Sequence, residues 1–195
     1  MRLLVPLLLL AFAASAAAAD DGVAVGKPAP PFALRVLNPE VARAEIVSLD
    51  LYAGEEPEDP ASKAVLISFF ASWCEPCRKE LPLLVQLDRM YREQGLRVLS
   101  IDIEDDAPGV EATLRMVEKA KVAFPVLSDR FTLVARRYLG PKGQLPAVFL
   151  VRRDGTIAKI ERGYAKEASR SLVADVRAAL GIAPERKGKA GAPAP

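Results

Sequence analysis

The chain's only two cysteines, Cys74 and Cys77, stand in Trp73-Cys74-Glu75-Pro76-Cys77, directly after an apolar run at Ala64–Phe70. Two thiols at this spacing can form, break and exchange disulfides. If a helix starts at Cys74, its sulfur lies over unpaired backbone N–H groups and the positive end of the helix dipole. Both favour the thiolate, which is the nucleophile in disulfide exchange. Cys77 follows one turn later, within reach of a mixed disulfide formed at Cys74. Pro76 falls in the first turn, where its missing N–H costs nothing.

Three other uses of a cysteine pair fit less well. A purely structural disulfide across so short a loop removes little chain entropy. A zinc half-site needs two further ligands, and the sequence has no other cysteine and no histidine. Haem attachment needs a histidine after the second cysteine, where this chain has Arg78. No organic cofactor and no metal is implied.

The elements that must hold the pair alternate between strand and helix. Short strands are expected at 35–37 and 47–49, with a Pro/Glu-rich loop at 55–60. The run at 64–70 reads as a buried strand, and a helix over 77–94 follows, with Leu81, Leu84, Leu87 and Tyr91 at helical spacing. Pro82 should kink it. A strand at 97–103 leads to a helix capped by Asp105 or Asp106, with Pro108 in its first turn and Val110, Leu114 and Val117 on its apolar face. A strand at 124–127 precedes a helix from Asp129 to Tyr138, ended by Gly140. Strands at 147–151 and 156–160 flank Arg153-Asp154-Gly155 as an antiparallel hairpin. A last helix over 166–180 carries Leu172, Val176 and Leu180, with Gly181 as its C-cap. The expected fold is α/β, a mixed sheet with helices on both faces.

With 195 residues and 51% hydrophobic content, the chain can bury a core as one domain, placed at 20–182. Lys and Arg total 27 against 25 acids, a balance with no nucleic-acid signature. Met1-Arg2, the apolar run 3–12 and the small residues 13–19 have the layout of a secretory signal peptide at 1–19, cut after Ala19 or slightly earlier. The alternative is an uncleaved membrane tether, since 3–19 approaches the shortest spanning length. Either way the dithiol faces the extracytoplasmic side, with a periplasmic location expected. A tail at 183–195, rich in Ala, Gly, Pro and Lys, is expected to be disordered.

These features together resemble the TlpA/ResA-type thiol–disulfide oxidoreductases of the thioredoxin superfamily. The resemblance rests on the opening Gly26-Lys27-Pro28-Ala29-Pro30-Pro31-Phe32-Ala33-Leu34, a segment shared with peroxiredoxins. It rests more specifically on Phe69-Phe70-Ala71-Ser72-Trp73-Cys74-Glu75-Pro76-Cys77-Arg78-Lys79-Glu80-Leu81-Pro82, on Leu145-Pro146-Ala147-Val148-Phe149-Leu150, and on the Asp154-Gly155 hairpin. It implies a thioredoxin-like sheet with an N-terminal extension and an inserted helix at about 105–122. Cys74 would be the attacking thiol and Cys77 the resolving thiol. Pro146 would be the family's cis-proline, whose loop, with Leu145 and the neighbouring Trp73, would face an extended substrate. Glu80 would assist proton transfer. Two departures stand out. Ser68 replaces the buried aspartate of cytosolic thioredoxins, and Ala147 stands where relatives often have threonine.

Charge near the dithiol bears on the direction of electron flow. Glu75 opposes the Cys74 thiolate by about one pKa unit or less, and Arg78 and Lys79 offset it. Without the very acidic thiolate of a strong oxidant, a low potential and a reductant role are expected. By resemblance the clients are protein disulfides, with apocytochrome c foremost, and a membrane electron donor of the DsbD/CcdA kind would restore the dithiol. The alternatives are a disulfide oxidant or isomerase, and a non-catalytic thioredoxin-fold module that binds a partner. A thiol peroxidase is disfavoured because Phe70-Ala71-Ser72-Trp73 lacks the threonine it needs one turn before its cysteine.

Overall fold

The computed structural model describes residues 23–183 except Lys142. The expected signal peptide at 1–19 and all but Ala183 of the expected tail lie outside the described residues. Seven strands form one sheet in the order β2-β1-β5-β4-β3-β6-β7. They are β1 (Ala33–Val36), β2 (Ile46–Ser48), β3 (Ala64–Phe70), β4 (Leu96–Asp102), β5 (Val126–Ser128), β6 (Ala147–Arg152) and β7 (Ile157–Arg162). The helices are α1 (Pro39–Ala42), α2 (Glu75–Tyr91), α3 (Ala107–Lys119), α4 (Leu133–Leu139) and α5 (Lys166–Ala179). Strands β3, β4 and β5 are mutually parallel; on one side β6 pairs antiparallel with β3 and β7 with β6, and on the other β1 pairs antiparallel with β5 and β2 with β1. The sheet is therefore mixed, as the order of sequence elements implied.

β3 is central, and all seven of its residues are buried. A strand covered on both faces has no polar side to alternate with, so it reads as an unbroken apolar run. Its even-numbered residues Leu66 and Phe70 meet Leu81, Leu84 and Leu87 of α2 and Leu172 and Val176 of α5. Its odd-numbered Val65, Ile67 and Phe69 meet Val134 and Tyr138 of α4. Phe69, Tyr138 and Phe149 stack with ring centroids 5.0–5.8 Å apart, near the favoured separation for aromatic pairs.

Several boundaries depart from expectation for local reasons. The helix expected at 77–94 starts at Glu75 and is α-helical to Tyr91, then tightens into a 3₁₀ turn over Arg92–Gln94 that Gly95 ends at φ 103°. It runs through Pro82, whose ring is exposed. In α3 the buried positions are Thr113 and Val117, and Leu114 turns outward. Thr113 earns its inward place by donating a hydrogen bond to the buried carboxylate of Asp102 at 2.9 Å. The strand expected from Phe124 begins at Val126. α4 begins at Leu133 after Thr132 in the left-handed region, yet Asp129 does cap it, accepting from the backbone N–H groups of Val134 and Ala135. The short α1, with Pro39 in its first turn, has no counterpart among the expected elements.

Candidate active site

β3 delivers the cysteines. Its chain leaves the sheet at Phe70, turns through Ala71-Ser72-Trp73 and enters α2 with Cys74 as the N-cap. Cys74 and Cys77 are joined as a disulfide with Cα atoms 5.3 Å apart. The Sγ of Cys74 accepts a hydrogen bond from the backbone N–H of Cys77 at 3.2 Å, so one first-turn donor of the helix points at this sulfur. Trp73 stands at the rim, 66% exposed.

The turn is braced from β4. Just past that strand, the buried carboxylate of Glu104 accepts from both the N–H and the Oγ of Ser72, at 2.7 and 2.6 Å. Arg78 donates to the carbonyl of Ser72 from the other side at 3.1 Å. Nothing in the local sequence announces Glu104, because its role depends on the parallel register that sets Asp102 beside Phe70.

Pro146 arrives at the same edge because β6 is antiparallel to β3, with Ala147 opposite Phe69. The Leu145-Pro146 peptide bond is cis. Pro146 is buried, its carbonyl accepts from Gly163 N–H at 2.7 Å, and Leu145 is half-buried beside it. Thus the structure brings Trp73, Cys74, Cys77, Leu145 and Pro146 to one end of the sheet.

Glu80 lies one turn beyond Cys77 on the inward face of α2, only 7% exposed. Its Oε2 accepts from Ser68 Oγ at 3.2 Å. Burial pushes its carboxyl up to about 7; the Ser68 hydrogen bond works against that shift, and the negative charge of Glu161 adds to it. A group of this kind can hold or accept a proton near neutrality. A second buried acid, Asp102, sits on the β4 side, also pushed up to about 7, chiefly by burial, with its Oδ2 unpartnered. Glu75 is exposed and ion-paired with Lys79 at 2.8 Å. The Lys79 hydrogen bond holds its carboxyl below the usual range.

Among the described residues no cluster of side chains could hold a metal ion, and no helix is long and apolar enough to cross a membrane. A cleft of about 640 Å³ opens at the far end of β4, between Arg92, Arg97, Asp59 and Asp88. Arg92 pairs there with Asp88 and Arg97 with Asp59, and the cleft lies away from the disulfide.

Residues 25–160 match the model of the AhpC/TSA family. The thiol-disulfide oxidoreductase ResA of Geobacillus thermodenitrificans is 32% identical over 142 residues, covering 72% of this chain and 71% of that protein. A thiol:disulfide interchange protein of the thioredoxin family from Chlorobium tepidum shares the fold at a TM-score of 0.60, with 23% identity, over 82% of this chain and all of that one. A secreted Mycobacterium tuberculosis disulfide oxidoreductase, described as homologous to E. coli DsbE, matches at a TM-score of 0.59 and 23% identity, over 75% of this chain and 95% of that one.

Proposed function

This chain belongs to the AhpC/TSA family and is a thiol–disulfide oxidoreductase of the ResA type, and from that premise we propose that it reduces disulfides in protein clients outside the cytoplasm. The observation that carries the reading is the N-cap position of Cys74, with its sulfur over the backbone N–H of Cys77 and Glu80 buried one turn further on. The helix N-terminus favours a Cys74 thiolate once the pair is reduced.

The exchange takes two steps. The Cys74 thiolate attacks one sulfur of the client disulfide, forming a mixed disulfide and releasing the client's other sulfur as a thiolate. Cys77 then gives its proton to the Glu80 carboxylate and attacks the Cys74 sulfur. The intramolecular disulfide forms and the client leaves with its second thiolate. Two electrons pass to the client, which takes up two protons, one of them carried by Glu80. Trp73, Leu145 and Pro146 border the place where an extended client segment would lie.

Apocytochrome c is the client class this reading favours. Its partner would be a membrane electron donor of the DsbD/CcdA kind, because a dithiol in an oxidising compartment needs recharging. Residues 1–19 would export the chain, and 20–182 would form its single domain.

The test is electron transfer from the reduced protein to an oxidised peptide carrying Cys-x-x-Cys-His. Release of peptide thiols together with formation of the Cys74–Cys77 disulfide is expected. A protein that leaves the peptide oxidised, yet donates its own disulfide to reduced peptides, would establish the opposite direction.

A further inference from the structure

We infer that Glu161, on β7, is a positioning residue for the dithiol reaction: its carboxylate strengthens the hold of Glu80 on its proton, and Lys159 moderates that effect. The inference rests on the role of Glu80 proposed above. Its basis is the register of the sheet. Ser100 of β4, Ser68 of β3, Val148 of β6 and Glu161 of β7 stand abreast, and residues paired in register project from the same face. That face is the one covered by α2 and α5. Ser68 and Glu161 are two strand spacings apart, about 10 Å between Cα atoms, and Glu80 reaches down to Ser68 from α2. Along the row only Val148, an apolar and buried side chain, stands between Ser68 and Glu161, and an apolar setting screens charge weakly.

The surroundings of Glu161 make it an adjustable charge. Its Oε1 accepts from Ser171 Oγ of α5 at 3.3 Å and lies 3.6 Å from the ammonium of Lys159. Lys159 is also bound to Asp175 of α5 at 3.1 Å and to Ser171 Oγ at 3.1 Å. Burial raises the Glu161 carboxyl, while Lys159 works against that rise. The charged groups of this row, among the described residues, are therefore Glu80 from α2, Glu161 and Lys159 from β7, and Asp175 from α5. The serines Ser68, Ser100 and Ser171 supply its neutral polar atoms. Lys159 is one-third exposed, so the cluster opens to solvent at that end while Glu80 remains buried. Glu161 neither gains nor loses electrons in the exchange; it acts only on the proton that Glu80 carries.

The measurement is a pH titration of the Glu80 side-chain carboxyl by carbon NMR in the oxidised protein, for the wild type, Glu161→Gln, Lys159→Met and Glu80→Gln. In parallel, the pH profile of electron transfer to an oxidised peptide is recorded. The Glu80→Gln spectrum identifies the resonance. Glu161→Gln is expected to move the Glu80 midpoint to lower pH, and Lys159→Met to move it to higher pH, with the rate profile shifting in the same two directions. A purely structural role would shift neither midpoint, or both in one direction, and either result overturns the inference. If Glu80→Gln leaves the rate profile unchanged, the underlying role of Glu80 fails and this inference fails with it. If the Glu80 step is real but Glu161→Gln leaves it in place, only the inference about Glu161 is lost.

Discussion

Ser68 donates a hydrogen bond to Glu80 across 3.2 Å, linking the strand that leads into the cysteines to the helix that begins with them. Both side chains are buried. The serine stands in place of the buried aspartate of cytosolic thioredoxins, and a buried acid comes from α2. A carboxyl that burial pushes up to about 7 thus lies one helical turn beyond Cys77, anchored to a neutral partner.

Glu80 makes stability depend on pH in a definite direction. In the unfolded chain it ionises from its ordinary 4.5, whereas the native protein keeps its proton up to about 7. The native state binds the proton more tightly, so the stabilisation is full below about pH 4.5 and is lost as pH rises through 7. The interval between 4.5 and about 7 corresponds to roughly 3 kcal/mol at most. Denaturant unfolding of oxidised Glu80→Gln at pH 5 and pH 8 should show a smaller loss of stability between the two than the wild type shows.

Asp102 should behave alike by an independent route. Its carboxyl rises from 3.8 to about 7 under burial, with Thr113 alone as a side-chain partner. Its contribution is also greatest at acid pH and declines as pH rises to 7, by up to about 4 kcal/mol. Asp102→Asn keeps the acceptor for Thr113 and removes the charge, so it should be more stable than the wild type at pH 8. A destabilised Asn variant at that pH would mean that the surroundings of Asp102 favour its ionised carboxylate, contrary to the upward shift that burial imposes.

Glu104 holds the cysteine turn from outside it. Glu104→Ala removes two hydrogen bonds to Ser72 and leaves a buried-side N–H without its acceptor. A loss of about 2–3 kcal/mol in urea unfolding is expected. A loss below about 0.5 kcal/mol would show that the turn holds itself.

The two cysteines should be unequal. Reduced Cys77→Ser should accumulate a mixed disulfide with an oxidised client peptide through Cys74, because the resolving thiol is gone. Reduced Cys74→Ser should trap little. Mass spectrometry of the adducts checks this, and equal trapping by both variants would contradict the assignment of Cys74 as the attacking sulfur.

What was legible in the sequence is what local chemistry decides. The buried strand at Ala64–Phe70, the cysteine pair, the helix after it and the Asp154-Gly155 hairpin each carry their signal within a few residues. The cis bond at Leu145-Pro146 followed from the resemblance. The rest depends on register. Glu104 finds Ser72, Thr113 finds Asp102, and Glu161 joins the row of Ser68 only once the strands are aligned. Thr113 illustrates the mechanism of the miss: apolar periodicity assigned the inward face of α3 to Leu114, but a buried carboxylate needs a donor, and the threonine supplies it.

The equilibrium reduction potential of the Cys74–Cys77 pair, measured by titrating residues 20–195 against a thiol buffer, tests the reductant reading most directly. Paired charges on Glu75 and Lys79 leave the cysteines without the strong local field of an oxidant, so a value of roughly −270 mV or lower is expected. A value near about −120 mV would contradict it and make the chain a disulfide donor.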